Sequence, residues 1–390
     1  MKKQKEPVWL MIIRIVLACV FIFSGFTKMV DPVSFGIKID EYFISFGMGF
    51  MHPFSQSLAI LAIIAEFTLG VMLLFRILIN LTTLGYLLFM GFFFFLTAWL
   101  AVAEHLEVNY GYNFGVVTDC GCFGQAIVMS NLETFLKNVV LMIITLLVFA
   151  KRKMIPDIRL TLLGQWLLAF VIAGVVLFIQ IYALRNLPLI DFSNWKKGKD
   201  VAELFIEKPA EIDVLFLYKN DKEEEMLLSI EDMDNITKTH PKFYEEFFYV
   251  DRIDSVIAEA VHAEIQGFSM LDNQGKDWAS IYLNKNREHA YLFFMHDLDE
   301  VSDQAMKSEA LQNLIQYCEE NDIAFVGITN SSPDDIAAFI KKYDLLFPIY
   351  YNPMDPIKGP FIVRDAIRSN PGLIVLKNGV VVEKKSWRNL

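Results

Sequence analysis

Two of the four cysteines in this 390-residue chain stand one residue apart, in Asp119-Cys120-Gly121-Cys122-Phe123-Gly124. A thiol pair split by a single glycine is a redox signature. Gly121 gives the backbone the freedom that so small a ring requires, and a strained bridge suits a reversible disulfide better than a permanent staple. The attacking species in exchange is the thiolate, so one cysteine must be stabilised as an anion and be reachable. His105, preceded by Glu104 and followed by Glu107, is the nearest base in sequence. The plainer reading of His105 is a solvated interfacial side chain. Two other uses of the pair stay open. One is a static clip, although a bridge across so short a loop removes little chain entropy. The other is a zinc site, for which Cys120, Cys122, Asp119 and a distant histidine form an incomplete set, so no metal is expected. No Gly-x-Gly-x-x-Gly or Walker pattern is present, and no nucleotide is expected either.

The elements around the pair are apolar. The chain is 54% hydrophobic with 34 Phe and a mean hydropathy of +0.39, which implies a membrane protein with a soluble part. Hydropathy predicts five spans: Trp9 to Met29, Ser57 to Phe75, Leu81 to Ala103, Leu132 to Ala150 and Leu160 to Leu184. Each is near the ~20 residues that cross a bilayer. The first span reads as a retained anchor, being longer than a signal-peptide apolar region and lacking a small-residue cleavage site. The basic amino terminus, Arg76 and the Lys151-Arg152-Lys153 run fall on one side, expected to be cytoplasmic. The cysteine loop and everything after Leu184 then face outward, where disulfides persist. Charge divides with this topology. Residues 1–186 hold 13 basic and 10 acidic side chains and the remainder 22 and 36, so the second part carries about −14 and nucleic acid is excluded as a partner.

Within the early spans, Arg14 and Glu66 are ionisable groups at membrane depth. Such groups face a bundle interior and mark either function or a structural ion pair; Arg14 is the expected partner of Glu66. Ser24, Gly25, Gly70 and Gly85 allow close helix approach. Cys19 reads as a small hydrophobe in the core. The runs Arg14-Ile15-Val16-Leu17-Ala18 and Phe23-Ser24-Gly25-Phe26-Thr27-Lys28, the Glu66 to Gly70 pattern and the Cys-Gly-Cys-Phe-Gly element resemble the DoxX and MauE families of four-helix membrane proteins over Val8 to Ala150. That resemblance implies quinone-linked electron transfer or disulfide formation, a quinone as cofactor near Arg14 and Glu66, and Cys120, Cys122 and Glu66 as the matching functional residues. The chain departs from four-helix disulfide-generating enzymes of the vitamin K epoxide reductase and DsbB types, which use two cysteine pairs.

The expected architecture is multi-domain: an α-helical membrane bundle (1–154), a fifth span (155–186) that returns the chain outward, a linker with a small α+β segment (187–266), and an α/β domain (267–390). Ile212 to Tyr218 and Met226 to Ile230 read as a strand pair, and Ile236 to Ala260 as partly helical. Beyond, strands at Phe268–Asp272, Ala290–Met295, Ala324–Ile328 and Pro348–Tyr350 alternate with helices at Ser302–Glu320 and Ser332–Tyr343, and a hairpin turns at Asn378-Gly379. This order, with Pro371 directly before the first hairpin strand, resembles the thioredoxin-like fold of the TlpA and peroxiredoxin relatives. The resemblance implies a cis-proline at Pro371 and, with Asn370, a partner-binding edge. The place for a Cys-x-x-Cys motif reads His296-Asp297-Leu298-Asp299, and Cys318 reads as structural.

The expected function is thiol-disulfide or quinone-linked electron transfer in the bacterial inner membrane, with Cys120 and Cys122 exchanging disulfides with an extracytoplasmic client or redox partner held by the outer domain. Glu66 would handle the proton. The alternative is a non-enzymatic, membrane-anchored scaffold within an envelope complex, its outer domain a binding module.

Overall fold

A computed structural model describes residues 5–112, 114, 117, 119–207, 211–258, 263–353 and 361–390. Among the described residues, five helices are long and apolar enough to cross a membrane. They are α1 (Val8–Val30), α3 (Ser55–Phe75, extended backward by a 3-10 turn at Gly49–Phe54), α4 (Ile79–Tyr110), α5 (Asn131–Ala150) and α6 (Leu162–Arg185). Their order and bounds follow the hydropathy. The main difference is α4, whose 32 residues make a helix of about 48 Å at 1.5 Å per residue. Its last turns, which carry Glu104 and His105, run past the apolar stretch.

Sequence periodicity gave no sign of α2 (Pro32–Ser45), which packs on α3. Its start is nonetheless encoded: the Asp31 side chain accepts from Ser34 N at 3.3 Å and Pro32 occupies the first turn. Helix α5 opens with a capping box in which Ser130 and Glu133 satisfy each other's backbone amides. Close approach of α1 and α3 requires two glycines. A Cβ on Gly25 would meet Phe67 Cβ at 2.9 Å, and one on Gly70 would meet Ile22 N at 2.9 Å.

The chain divides into two compact units, residues 1–199 with 267–390, and residues 200–266. The second begins with α7 (Val201–Leu204) and is built on an antiparallel sheet in the order β2-β1-β3, from β1 (Glu211–Asn220), β2 (Glu225–Ser229) and β3 (Phe247–Ala258). Helices α8 (Ile230–Thr239) and α9 (Phe243–Glu246) complete it, with Tyr218, Leu228 and Phe243 at its core. The stretch from Ile236 to Ala260 is thus partly helical, up to Thr239 and again over Phe243–Glu246, and then strand from Phe247 to Ala258; its last two residues lie outside the described ones. Phe247, Phe248, Tyr249 and Val250 are aromatic or β-branched, and they favour the pleated pairing with β1 over a helix.

In the first unit, the region after Gly267 contains α10 (Ala279–Tyr282), β4 (His289–Met295), α11 (Asp303–Met306), α12 (Glu309–Glu320), β5 (Ala324–Thr329), α13 (Pro333–Tyr343), β6 (Ile349–Tyr351), α14 (Phe361–Ala366), β7 (Gly372–Lys377) and β8 (Val380–Ser386). The sheet order is β6-β5-β4-β7-β8, with β4, β5 and β6 parallel and β7 and β8 antiparallel to their neighbours. The expected strand at Phe268–Asp272 is only an isolated bridge at Leu271, and the helix from Ser302 to Glu320 breaks in two near Ser308, which caps α12. Asn378 and Gly379 both take positive φ, 49° and 77°, at the hairpin. The Asn370–Pro371 bond is cis. Cys318 is buried in the core with Phe293, Leu311 and Phe325, and burial pushes its thiol up to about 11.

One buried ion pair joins this domain to the bundle. Arg368 Nη2 lies 3.0 Å from Asp31 Oδ2, and the two side chains are 2% and 3% exposed. Arg368 also donates to Gln125 Oε1 in the cysteine loop, at 2.9 Å, and to the Arg364 and Asp365 carbonyls. Removing one member of such a pair leaves a desolvated charge, a cost of about 3–5 kcal/mol. Arg368→Leu is therefore expected to lower the thermal unfolding midpoint of the detergent-solubilised protein sharply, and Asp31→Asn to do so less. A midpoint unchanged in Arg368→Leu would show that the pair carries no stability.

Candidate functional site

Lys28 and Ser24 are one helical turn apart on α1 and share a face. From that face Lys28 Nζ reaches Glu66 Oε2 on α3 at 2.8 Å, with 2% and 7% of the two side chains exposed. The Ser24 hydroxyl lies 2.6 Å from Glu66 Oε1 and 2.5 Å from the Cys122 carbonyl oxygen, and accepts from Lys28 Nζ at 3.2 Å. A single hydroxyl proton serves one of those two acceptors at a time, so Ser24 is the link between the buried carboxylate and the cysteine backbone. The Lys28 ammonium also sits 4.8 Å from the centre of the Phe35 ring, an arrangement that helps offset its burial.

The cysteine loop is fixed from a second side by α2. Lys38 Nζ bridges Glu41 at 2.7 Å and Asp119 at 2.9 Å. Burial alone would pull the Lys38 ammonium down, but the two carboxylates more than reverse this and hold it above its ordinary range. Asp119 Oδ1 accepts from Gly121 N at 2.9 Å, and the Tyr42 hydroxyl donates to the Cys120 carbonyl at 3.3 Å. Gly121 has φ +64°, and a Cβ there would lie 2.7 Å from Lys38 Cγ, so both backbone angle and space demand glycine. The sulfurs of Cys120 and Cys122 end 3.0 Å apart, about 1 Å longer than a disulfide.

The two thiols have different surroundings. Cys120 is 2% exposed and packs with Tyr42, Leu100 and Val117, whereas Cys122 is half-buried. The hydrogen bond from Cys120, and then the positive charges of Lys137 and Lys28 acting against burial and Glu66, lower Cys122 to about 6. The same hydrogen bond and burial push Cys120 well above the ordinary thiol range. Cys122 is therefore the thiolate of the pair. Lys137, on α5, holds its ammonium 4.4 Å from the Phe123 ring centre. It lines, with Cys122, Glu66 and Asn138, a cavity of about 30 Å³ inside the bundle. At ~10–15 Å³ per water, the cavity has room for about two water molecules. A quinone ring does not fit within this cavity.

Several expected positions lie elsewhere. Arg14 does not pair with Glu66. It bonds Glu6 at 2.7 Å and the Leu73 and Leu74 carbonyls at 2.8 Å each, where it satisfies the open carbonyls at the α3 C-terminus. Ten or more residues of α1 separate it from Ser24 and Lys28, a rise of at least about 15 Å. His105 is exposed on the last turns of α4, with its ring against Asn109 Nδ2 at 3.1 Å, and among the described residues no hydrogen bond joins it to Cys120 or Cys122. Cys19 is exposed on the outer face of α1 rather than in the core. Half-buried Asn370 accepts from His296 N at 3.0 Å and donates to the Asp297 carbonyl at 2.9 Å, and Pro371 lies immediately before β7. Among the described residues no group of three or more His, Cys, Asp or Glu side chains is arranged to hold a metal ion. Sequence reasoning did not single out Lys38 or Lys137, and it named Ser24 and Lys28 without joining them to Glu66; their spacing by four residues beside Gly25 was the available signal.

Once reduced, Cys122 is expected to react with iodoacetamide with a midpoint near pH 6, while Cys120 stays unreactive until strongly alkaline pH. Because the Lys137 charge favours the thiolate, Lys137→Met should move the Cys122 midpoint upward and Lys137→Arg should leave it nearly in place. Equal reactivity of the two thiols across pH, read by peptide mass spectrometry, would contradict the asymmetry.

Residues 7–151 match the protein family described as methylamine utilisation protein MauE. A search of curated proteins and a search of solved structures returned no match. The segment that holds α1 to α5 and the cysteine loop is thus MauE-like, the part of the chain in which the Cys120–Cys122 geometry and the Lys28–Glu66 pair reside.

Proposed function

We propose that the MauE-like segment is a membrane thiol-disulfide exchange site, with Cys122 attacking and Cys120 resolving. The observation that carries this reading is the pair of sulfurs at 3.0 Å, one screened from solvent and the other flanked by two lysines. From the reduced pair, the Cys122 thiolate attacks a disulfide of a client protein. The new bond joins Cys122 to one client sulfur, and the other client sulfur leaves with the electron pair and takes a proton. Cys120 then loses its proton and attacks Cys122, closing the Cys120–Cys122 bond and releasing the second client thiolate. The client disulfide gains two electrons, the pair loses two, and the reverse path oxidises a client dithiol. Glu66, through Ser24, lies beside the reacting cysteine and is the group to exchange the accompanying proton. The excess of basic residues at the amino terminus and at 151–153 supports placing the cysteine loop on the outer face of a bacterial inner membrane.

The C-terminal domain supports a client-holding role under the same reading. Its strand order and directions, with the cis bond before Pro371, agree with a thioredoxin-like domain, and His296 stands where such a domain would carry a cysteine. That substitution also favours a second reading, in which the whole chain is a scaffold and the cysteine pair a clip. The Arg368 contacts to Asp31 and Gln125 fit either reading, since they hold the domain against the loop.

Cys120→Ser removes the resolving thiol and should accumulate a mixed disulfide between Cys122 and its client, visible as a higher-mass band on a non-reducing gel and lost on reduction. Cys122→Ser should give no such band. Absence of any adduct with Cys120→Ser at normal abundance, together with full function of the double serine variant, would favour the scaffold.

A further inference from the structure

A cleft of about 1060 Å³ separates the 3-10 turn before α3 from the ends of β4 and β5, well apart in chemistry from the cysteine pair. On its wall the Arg364 guanidinium, which can donate five hydrogen bonds, makes one among the described residues, a long 3.5 Å contact to Gln56 Oε1. A half-buried guanidinium with so few partners is costly unless an anion or water completes it. Beside it, the fully buried Asp40 carboxylate pairs with His52 Nδ1. Half of the His52 side chain remains exposed, and among the described residues its Nε2 makes no hydrogen bond. His296, also on the wall, donates Nε2–H to the Ile367 carbonyl at 2.5 Å. Burial and the positive field of Arg364 and Arg368 lower it to about 3, so it stays neutral and adds no charge.

We propose that Arg364 and His52 hold one oxyanion group, a phosphate or a carboxylate, in this cleft. The cleft also carries Asp297, Asp299, Glu300 and Asp335, and Glu300, with Asp40 and Asp31, already acts on the Arg364 charge; together these carboxylates repel a polyanion. The ligand is therefore a molecule with a single anionic group on an otherwise neutral or cationic body. Two sources supply that chemistry. One is a soluble anion. The other is the phosphodiester of a lipid headgroup, since Phe50 and Phe54, which flank His52, are 76% and 55% exposed and suit a bilayer interface.

The test uses the full chain, purified and delipidated in detergent. In one arm inorganic phosphate is titrated and the thermal midpoint is followed; in the other, phosphatidylglycerol or phosphatidylethanolamine is added and retained lipid is counted by native mass spectrometry. Wild type should bind in at least one arm, Arg364→Gln at least fivefold more weakly, and Arg364→Lys should recover part of the loss. Saturation with phosphate alone identifies a soluble anion, and one retained phospholipid without a phosphate response identifies the headgroup. Equal behaviour of wild type and Arg364→Gln in both arms, with both proteins monodisperse and folded, would overturn the proposal.

Discussion

The ion pair between Lys28 and Glu66 is the constraint on which the rest of the bundle depends. Both charges lie inside apolar helices, where desolvation costs several kcal/mol per ion and is recovered only with close geometry and further hydrogen bonds. The 2.8 Å contact needs α1 and α3 at a separation that side chains larger than hydrogen would forbid at Gly25 and Gly70. Ser24 then supplies the extra hydrogen bond and, by reaching the Cys122 carbonyl, ties the helix pair to the thiol loop. Charge burial, helix packing and cysteine position are thus one arrangement.

The second support is α2. It lays Lys38 across Asp119 and Gly121 and turns Tyr42 toward the Cys120 carbonyl, which holds Cys120 in an apolar pocket. Cys122 meanwhile faces the cavity that holds Lys137. The asymmetry of the two thiols follows from this placement rather than from the Cys-Gly-Cys sequence, which is symmetric. The start of α2 is also where the C-terminal domain attaches: Asp31 caps the helix through Ser34 and pairs with Arg368, and Arg368 reaches on to Gln125, three residues beyond Cys122.

Much of the architecture was legible in the sequence because it rests on local pattern. The five spans are continuous apolar runs, the hairpin is announced by Asn378-Gly379, and α13 by Ser332 and Pro333. The cysteine pair itself was legible from spacing. What escaped were relations between distant residues. Arg14 and Glu66 are both charged and both within spans, so pairing them was the economical reading; only the helix rise places Arg14 at the other end, among the open carbonyls of α3. Helix α2 carries Lys38, Asp40 and Glu41 among its apolar residues, and its moderate amphipathic character gives no hydropathy signal. His105 is near the cysteines in sequence, but its ring meets Asn109 one turn further along α4. The β3 strand was obscured because its apolar opening, Phe247 to Val250, follows directly on the helical turn Phe243–Glu246, and a short apolar run fits a strand or a helix until a partner strand is known.

The central claim is that Cys120 and Cys122 form a reversible two-electron couple in the folded protein. Equilibrating the intact, membrane-embedded protein across dithiothreitol and glutathione redox buffers, with thiol state read by mass tagging, measures this directly. A single reversible transition involving both cysteines, with the fold retained on each side, is the expected result. Thiols that fail to join in any buffer, or a bridge reduced only when the protein unfolds, would contradict it.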